Sequence, residues 1–154
     1  GHSLHYIRPI HFDGEKYVRS ISYNEILYLC GMFNSFTVDY IVRKKVDKNI
    51  SYYHINGLPV PRFDKNNLLH QKIFQNSTML ICTTDDFIKL REEIGVSEFV
   101  TDPAKRIGLQ AQINACAAKI YGLTQTEFEF VLETFPSGEL KQLKELTLDE
   151  FSLI

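Results

Sequence analysis

The strongest constraint on the fold of this chain is a stretch that carries both a start and a stop signal for a helix. Asp102 is suited to cap a first turn, Pro103 fits the first helical position, and Gly122 follows the last turn. The sequence therefore predicts a helix over residues 103–121. Small residues recur at helical spacing on one face, so a second helix can approach closely; this face comprises Ile107, Gln110, Ala111, Asn114, Ala117, Ala118 and Tyr121.

Other helices are predicted from caps and apolar spacing. Ser22 and Glu25 form a capping box, in which the hydroxyl and the carboxylate each accept a backbone N–H. The helix that follows is expected to end near residue 47, with Asn34-Ser35 as a candidate bend. A second capping box opens a helix over about residues 124–134, and further helices are expected over about 68–82, 85–94 and 139–146.

The N-terminal part has a different character. Residues 4–8 and 16–20 are β-rich and flank Asp13-Gly14, which predicts a small hairpin or two edge strands. Residues 49–61 are predicted to be irregular or a short strand, because prolines 59 and 61 cannot donate backbone hydrogen bonds. The predicted fold class is therefore mainly α, of the α+β type: a bundle-like helical region with a small N-terminal β element.

The cysteines indicate the compartment. Cys30, Cys82 and Cys116 are odd in number and lie in separate apolar stretches, which favours buried free thiols and a reducing cytoplasm. No apolar run approaches the roughly 18 residues of a membrane span, so we expect a soluble protein without a membrane partner. The opening Gly1-His2-Ser3 lacks Met and is consistent with a tag remnant on part of a longer protein.

Charge is distributed unevenly along the chain. The formal net charge is −2, which argues against a general nucleic-acid binder. However, residues 1–75 carry ten Lys/Arg against six Asp/Glu, a net of +4, and residues 76–154 carry seven against thirteen, a net of −6. Two interpretations stay open: the basic half faces a polyanion while the acidic half faces protein, or the pattern is a chance distribution of solvated charge.

Signatures of catalysis are absent from the sequence. It contains no Gly-rich phosphate loop, no dinucleotide fingerprint and no zinc-ligand spacing. His54 and His70 lack the Cys or carboxylate pattern of a catalytic triad, and for His54 we expect a packed or partly exposed ring.

One polar cluster has functional meaning, and we call it the basic segment: Arg43, Lys44, Lys45, Lys48, Arg62 and Lys65. Tyrosines are interleaved with these cations, so the segment could neutralise phosphates and contact a DNA backbone. Cations at the end of a helix are also favoured for internal reasons, through the helix dipole. Both interpretations stay open.

Two blocks of sequence resemble one bacterial protein family. The first block contains Asn34-Ser35-Phe36, Asp39-Tyr40 with Arg43, residues 49–55 and Leu58-Pro59-Val60-Pro61; the second contains residues 112–124 and Val131 to Pro136. In this order they resemble the end of the target recognition domain and the C-terminal helices of fused restriction–modification enzymes and phage-defence methylases. Those type IIG or type I-like proteins join an adenine-N6 DNA methyltransferase to a specificity region. The resemblance covers about residues 21–136, with Asn114 where the family usually has Asp.

The resemblance implies a division of the chain and of its function. Residues 1–66 would be the end of a target recognition domain, and residues 67–154 a C-terminal helical region. The fragment would be non-catalytic, because the methyl-donor loop and the Asn-Pro-Pro-Tyr type motif are missing; S-adenosylmethionine would bind elsewhere in the parent enzyme.

Three functions follow as hypotheses. In the first, the basic segment helps target recognition through weak, salt-sensitive contact with double-stranded DNA. In the second, the chain is a structural docking module that joins the methyltransferase and recognition domains without touching DNA. The third is a stand-alone enzyme, which requires a pocket joining His54 or His70 to Cys or carboxylate groups.

Overall fold

A small antiparallel hairpin precedes a set of packed helices. The structure, a computed structural model, describes residues 9–46 and 50–154, and for Tyr52 the backbone alone. Strand β1 (Ile10–Phe12) pairs with β2 (Tyr17–Arg19), with Ile10 opposite Arg19 and Phe12 opposite Tyr17. The predicted hairpin is thus present, but its first strand is 10–12; the predicted strand at 4–8 lies outside the described residues.

The predicted first long helix is two helices. Helix α1 (Tyr23–Phe33) begins at the predicted capping box, with both of its hydrogen bonds present. Helix α2 (Phe36–Lys45) begins anew, because Ser35 adopts extended backbone angles (φ −85°, ψ 148°) and its hydroxyl accepts the Val38 N–H. The candidate bend at Asn34-Ser35 is therefore a full break.

The segment that we predicted as irregular or a strand contains a short helix, α3 (Tyr52–Asn56). His54 explains the error, because its Nδ1 accepts the Ser51 N–H and so takes the part that Glu or Gln plays in an ordinary capping box. From residue 57 to the next helix the chain has no regular structure, and Leu58, Val60 and Phe63 pack against the core.

The remaining helices follow their sequence signals closely. Helix α4 is Leu68–Ile81; a 3-10 turn at Asp85–Phe87 leads into α5 (Ile88–Ile94); then come α6 (Pro103–Ile120), α7 (Gln125–Glu133) and α8 (Lys141–Leu153). Gly95 and Gly122 have φ of 69° and 70°, the left-handed angles expected after a helix. Helix α8 continues beyond the predicted end at residue 146, because Leu148 and Phe151 pack into the core.

Helix α6 is central, since α1, α2, α4 and α8 all pack against it. One core cluster combines Leu27 and Met32 of α1 with Ile73 of α4 and Cys116 of α6. A second cluster joins the start of α2 to α6, α7 and α8 around Phe128. Residues from both sides of position 66 share the first cluster, so that position does not separate two cores.

Helices α1 and α4 approach each other closely at Gly31. A Cβ atom at that position would clash with Ser77 Oγ and Ile73 Cγ2. The absence of a side chain at residue 31 thus sets the distance between these two helices. Among the described residues, no helix has both the length and the apolar character needed to traverse a bilayer.

Candidate nucleic-acid interface and docking surfaces

Arg43 of the basic segment is held by contacts within the chain. Its Nε lies 3.2 Å from Asp39 Oδ2, and its terminal nitrogens donate to the carbonyl and hydroxyl oxygens of Thr134 at 3.3 and 3.2 Å. The guanidinium also lies 3.8 Å from the ring centroid of Phe135. These contacts tie α2 to the end of α7, so most of the donors of Arg43 are already in use.

The two lysines that follow have different surroundings. Lys45 Nζ donates to the Gly57 carbonyl at 2.9 Å, which joins the end of α2 to the end of α3. Lys44 is exposed and its ammonium lies 5.3 Å from the ring centroid of Tyr40. Of this pair, Lys44 is the better placed to meet a phosphate.

Arg62 and Lys65 lie on the segment between α3 and α4, and both are exposed. Within the described residues, neither these two nor Lys44 has a carboxylate within 4.0 Å. The pKa of Glu25 is lowered chiefly by its hydrogen bonds to Ser22 and slightly by the charge of Arg62. Arg62 and Lys65 therefore lie between α3 and α4, whereas Lys44 and Lys45 end α2; Lys48 is outside the described residues.

Asn114 links the two blocks of sequence. Its Oδ1 accepts the N–H of Phe36 at 2.7 Å, and its Nδ2 donates to the Gln110 carbonyl at 2.9 Å. The side chain is buried, so it caps the start of α2 from the middle of α6. Sequence reasoning noted this position but missed its structural role, because no local pattern reveals a cap supplied from 78 residues away.

His70 fixes the segment that carries Arg62 and Lys65. Its Nδ1 accepts the Asp64 N–H at 3.0 Å, and its ring lies 4.9 Å from Tyr28 and 6.4 Å from Phe63, measured between centroids. Burial lowers the pKa of His70 below its usual value. The residue therefore acts as a neutral acceptor that anchors the segment to α1 and α4.

A cavity of about 400 Å³ lies between α2 and α3. Its walls are largely apolar, and Asp39, Lys45 and His54 also line it. The pocket that a stand-alone enzyme requires, joining a histidine to a carboxylate, is thus present. Two of its polar groups are engaged, because Asp39 pairs with Arg43 and Nδ1 of His54 lies 2.8 Å from Ser51 Oγ.

The three cysteines are the other groups that could react, and all of them are at least partly buried. Cys30, Cys82 and Cys116 are free thiols, as predicted; Cys82 and Cys116 are buried, and Cys30 is partly buried. Burial raises the pKa of Cys116 to about 11, so this thiol is protonated and unreactive at neutral pH. Within residues 9–46 and 50–154, no group of three or more His, Cys, Asp or Glu side chains could hold a metal ion.

The hairpin presents an apolar surface to solvent. Phe12 and Tyr17 contact each other, with centroids 5.4 Å apart, and are 58% and 69% exposed. Arg19 holds the hairpin to the helices, since it donates to Glu93 at 2.9 Å and lies over the ring of Tyr23 at 3.6 Å. A two-stranded hairpin is only marginally stable by itself, and an exposed apolar surface is typical of an interaction site. The apolar face of the hairpin is therefore a candidate docking surface.

Comparison with known proteins finds no relative of this chain: no protein-family model, curated protein or solved structure matches it.

Proposed function

We propose that this chain is a non-catalytic helical docking module of a bacterial restriction–modification or phage-defence adenine-N6 DNA methyltransferase. The two sequence blocks that resemble this family support the proposal, because they pack against each other. Catalysis and S-adenosylmethionine binding would belong to other parts of the parent enzyme, which acts in the cytoplasm.

The observation that carries the proposal is the set of contacts made by Arg43. This residue is the most distinctive cation of the first block, and it contacts Asp39, Thr134 and Phe135 rather than projecting freely. Such contacts make the two blocks one body, which suits a module that holds other domains in position. The exposed apolar face of the hairpin, with Phe12 and Tyr17, gives that body a surface on which a neighbouring domain could pack.

Direct DNA contact is the second candidate function. It is favoured by the exposure of Lys44, Arg62 and Lys65, which could neutralise phosphates. Base recognition would depend on other parts of the parent enzyme, so affinity through this chain alone would be weak and would fall steeply with salt.

A pair of binding measurements separates the candidates. The docking proposal predicts that the remainder of the parent protein, expressed separately, binds this chain in size-exclusion chromatography. It also predicts that changing Phe12 and Tyr17 together to Ser weakens the complex without lowering the midpoint of thermal unfolding. Failure of the separately expressed parts to associate would end the docking proposal.

DNA contact is measured by fluorescence anisotropy with duplex DNA at low and at moderate salt. If it occurs, changing Lys44, Arg62 and Lys65 to Glu abolishes binding. A matched variant with Lys89, Lys105 and Lys141 changed to Glu carries the same charge difference on the acidic half and should retain binding. Equal losses in the two variants would indicate a net-charge effect and would remove the second candidate.

A further inference from the structure

A second cleft lies where four helices meet. We call it the four-helix cleft: it is bounded by the ends of α1 and α4, the middle of α6 and the start of α8, and its volume is about 420 Å³. This volume is at the lower end of the roughly 300–1,000 Å³ range of small-molecule sites. The cleft shares no lining residue with the cavity between α2 and α3.

Arg106 supplies the charge in the four-helix cleft. Its Nη1 donates to the carbonyl oxygens of Leu80 and Val100 at 3.0 and 2.8 Å, which holds the guanidinium in place. Within the described residues, Nε and Nη2 have no acceptor, and no Asp or Glu lines the cleft. A fixed guanidinium with free donors in a partly apolar cleft favours a carboxylate or a similar planar anion.

Neutral polar groups accompany this cation. Ser77 is only 2% exposed, and its hydroxyl has no hydrogen-bond partner within the described residues. Asn34 donates to the Cys30 carbonyl through Nδ2, which leaves its side-chain oxygen available, and the exposed Gln110 also lines the cleft. The Ser77 hydroxyl lies against Gly31 at the contact of α1 and α4, so the polar groups left to contact a ligand are those of Arg106, Asn34 and Gln110.

Most of the remaining lining is aliphatic and comes from Leu80, Ile81, Ile113, Leu140 and Leu143; Cys30, Gly31 and Asn114 complete it. Burial of an apolar group against these walls is favourable, whereas a compact hydrated anion would find no polar partner on them. We propose that the four-helix cleft binds a small organic carboxylate with an apolar body, the carboxylate facing Arg106 and the body lying against the aliphatic walls. This site is independent of the function proposed above.

The test is an NMR titration of the full 154-residue chain with 3-phenylpropanoate, using 3-phenylpropanamide as the uncharged probe of the same shape. The carboxylate should cause saturable shifts of the amide signals from α1, α4 and α6 residues that line the cleft. The uncharged amide should bind about tenfold more weakly, as expected when a hydrogen bond to a charged group is lost. Equal binding of the two probes, or no saturable shift at millimolar concentrations, would overturn the proposal.

A matched pair of arginine variants tests the assigned anchor. Arg106→Gln should weaken carboxylate binding about tenfold, by the same loss of a charged hydrogen bond. Arg91→Gln is the control, because Arg91 also donates through Nη1 to the carbonyl of a residue that ends a helix, Cys82, yet lies outside the cleft. Equal effects of the two changes on binding would refute the role given to Arg106.

Discussion

The backbone N–H of Phe36 donates to Oδ1 of Asn114 at 2.7 Å, across 78 positions of sequence. Through this bond a side chain in the middle of α6 stabilises the first residue of α2. The N-terminal end of a helix leaves backbone N–H groups without partners, and here a buried side chain from another helix satisfies one of them. The position that the sequence resemblance singled out is therefore a structural cap.

Replacing Asn114 by Ala should lower the free energy of unfolding by about 1–3 kcal/mol, because a buried N–H loses its acceptor. Asn114→Asp keeps an oxygen that accepts the Phe36 N–H, but it loses the donor to the Gln110 carbonyl and buries a charge, so it should destabilise the chain as well. Urea unfolding measures both variants, with the exposed Gln142→Ala as the control. If the alanine variant proved as stable as the control, the capping role would be wrong.

Arg43→Ala should destabilise the chain by about 1 kcal/mol, mainly through the lost packing on Phe135 and the lost hydrogen bonds to Thr134. The ion pair with Asp39 adds little, because both side chains are more than 40% exposed. Lys44→Ala, one residue along, should change stability by less than about 0.5 kcal/mol, as is usual for surface positions. Urea unfolding compares the two, and equal effects would contradict the proposed link between α2 and α7.

Gly31→Ala and Gly108→Ala should have opposite effects on stability. At residue 31 a methyl group would clash with Ser77 Oγ and Ile73 Cγ2, so overpacking should cost about 1–3 kcal/mol. At residue 108, inside α6, nothing lies within 4 Å of the added atom, and the higher helix propensity of Ala should add up to about 1 kcal/mol. Thermal unfolding measures both, and a neutral Gly31→Ala would disprove the close contact of α1 and α4.

Elements whose signals are local could be predicted from the sequence. The capping box at Ser22, the caps of α6 and the left-handed residues 95 and 122 all depend on neighbours within a few positions. Elements decided by distant contacts could not. The break before Phe36 depends on Asn114, and the length of α8 depends on the burial of Phe151 against other helices. Short helix α3 was missed because a histidine fills a capping position that normally holds Glu or Gln.

The same distinction applies to the candidate site. The cations of the basic segment could be found from the sequence, but their partners could not. Arg43 meets Thr134 across 91 positions, and Lys45 meets a carbonyl at the end of a helix that was not predicted. The four-helix cleft was not foreseen either, because its lining comes from four helices and includes no recognisable motif.

Stability should fall as the pH decreases through the range in which His70 titrates. Burial lowers the folded-state pKa of His70 below 6.5, so the unfolded chain binds the proton more readily than the folded chain does. The contribution of His70 is complete above about pH 6.5 and is lost as the pH falls toward the folded-state value. Protonation also removes the acceptor for the Asp64 N–H, so the segment carrying Arg62 and Lys65 should loosen.

The measurement is urea unfolding between about pH 7.5 and about pH 5.5, which brackets the ordinary histidine pKa of about 6.5. His70→Leu should be less stable than the parent at the higher pH, because the Asp64 N–H loses its acceptor, but its stability should depend less on pH. The pKa values of Glu25 and Glu127 are lowered from their ordinary value of 4.5, so these carboxyl groups titrate below the pH range of this measurement. An unchanged slope in His70→Leu would show that another group carries the pH dependence.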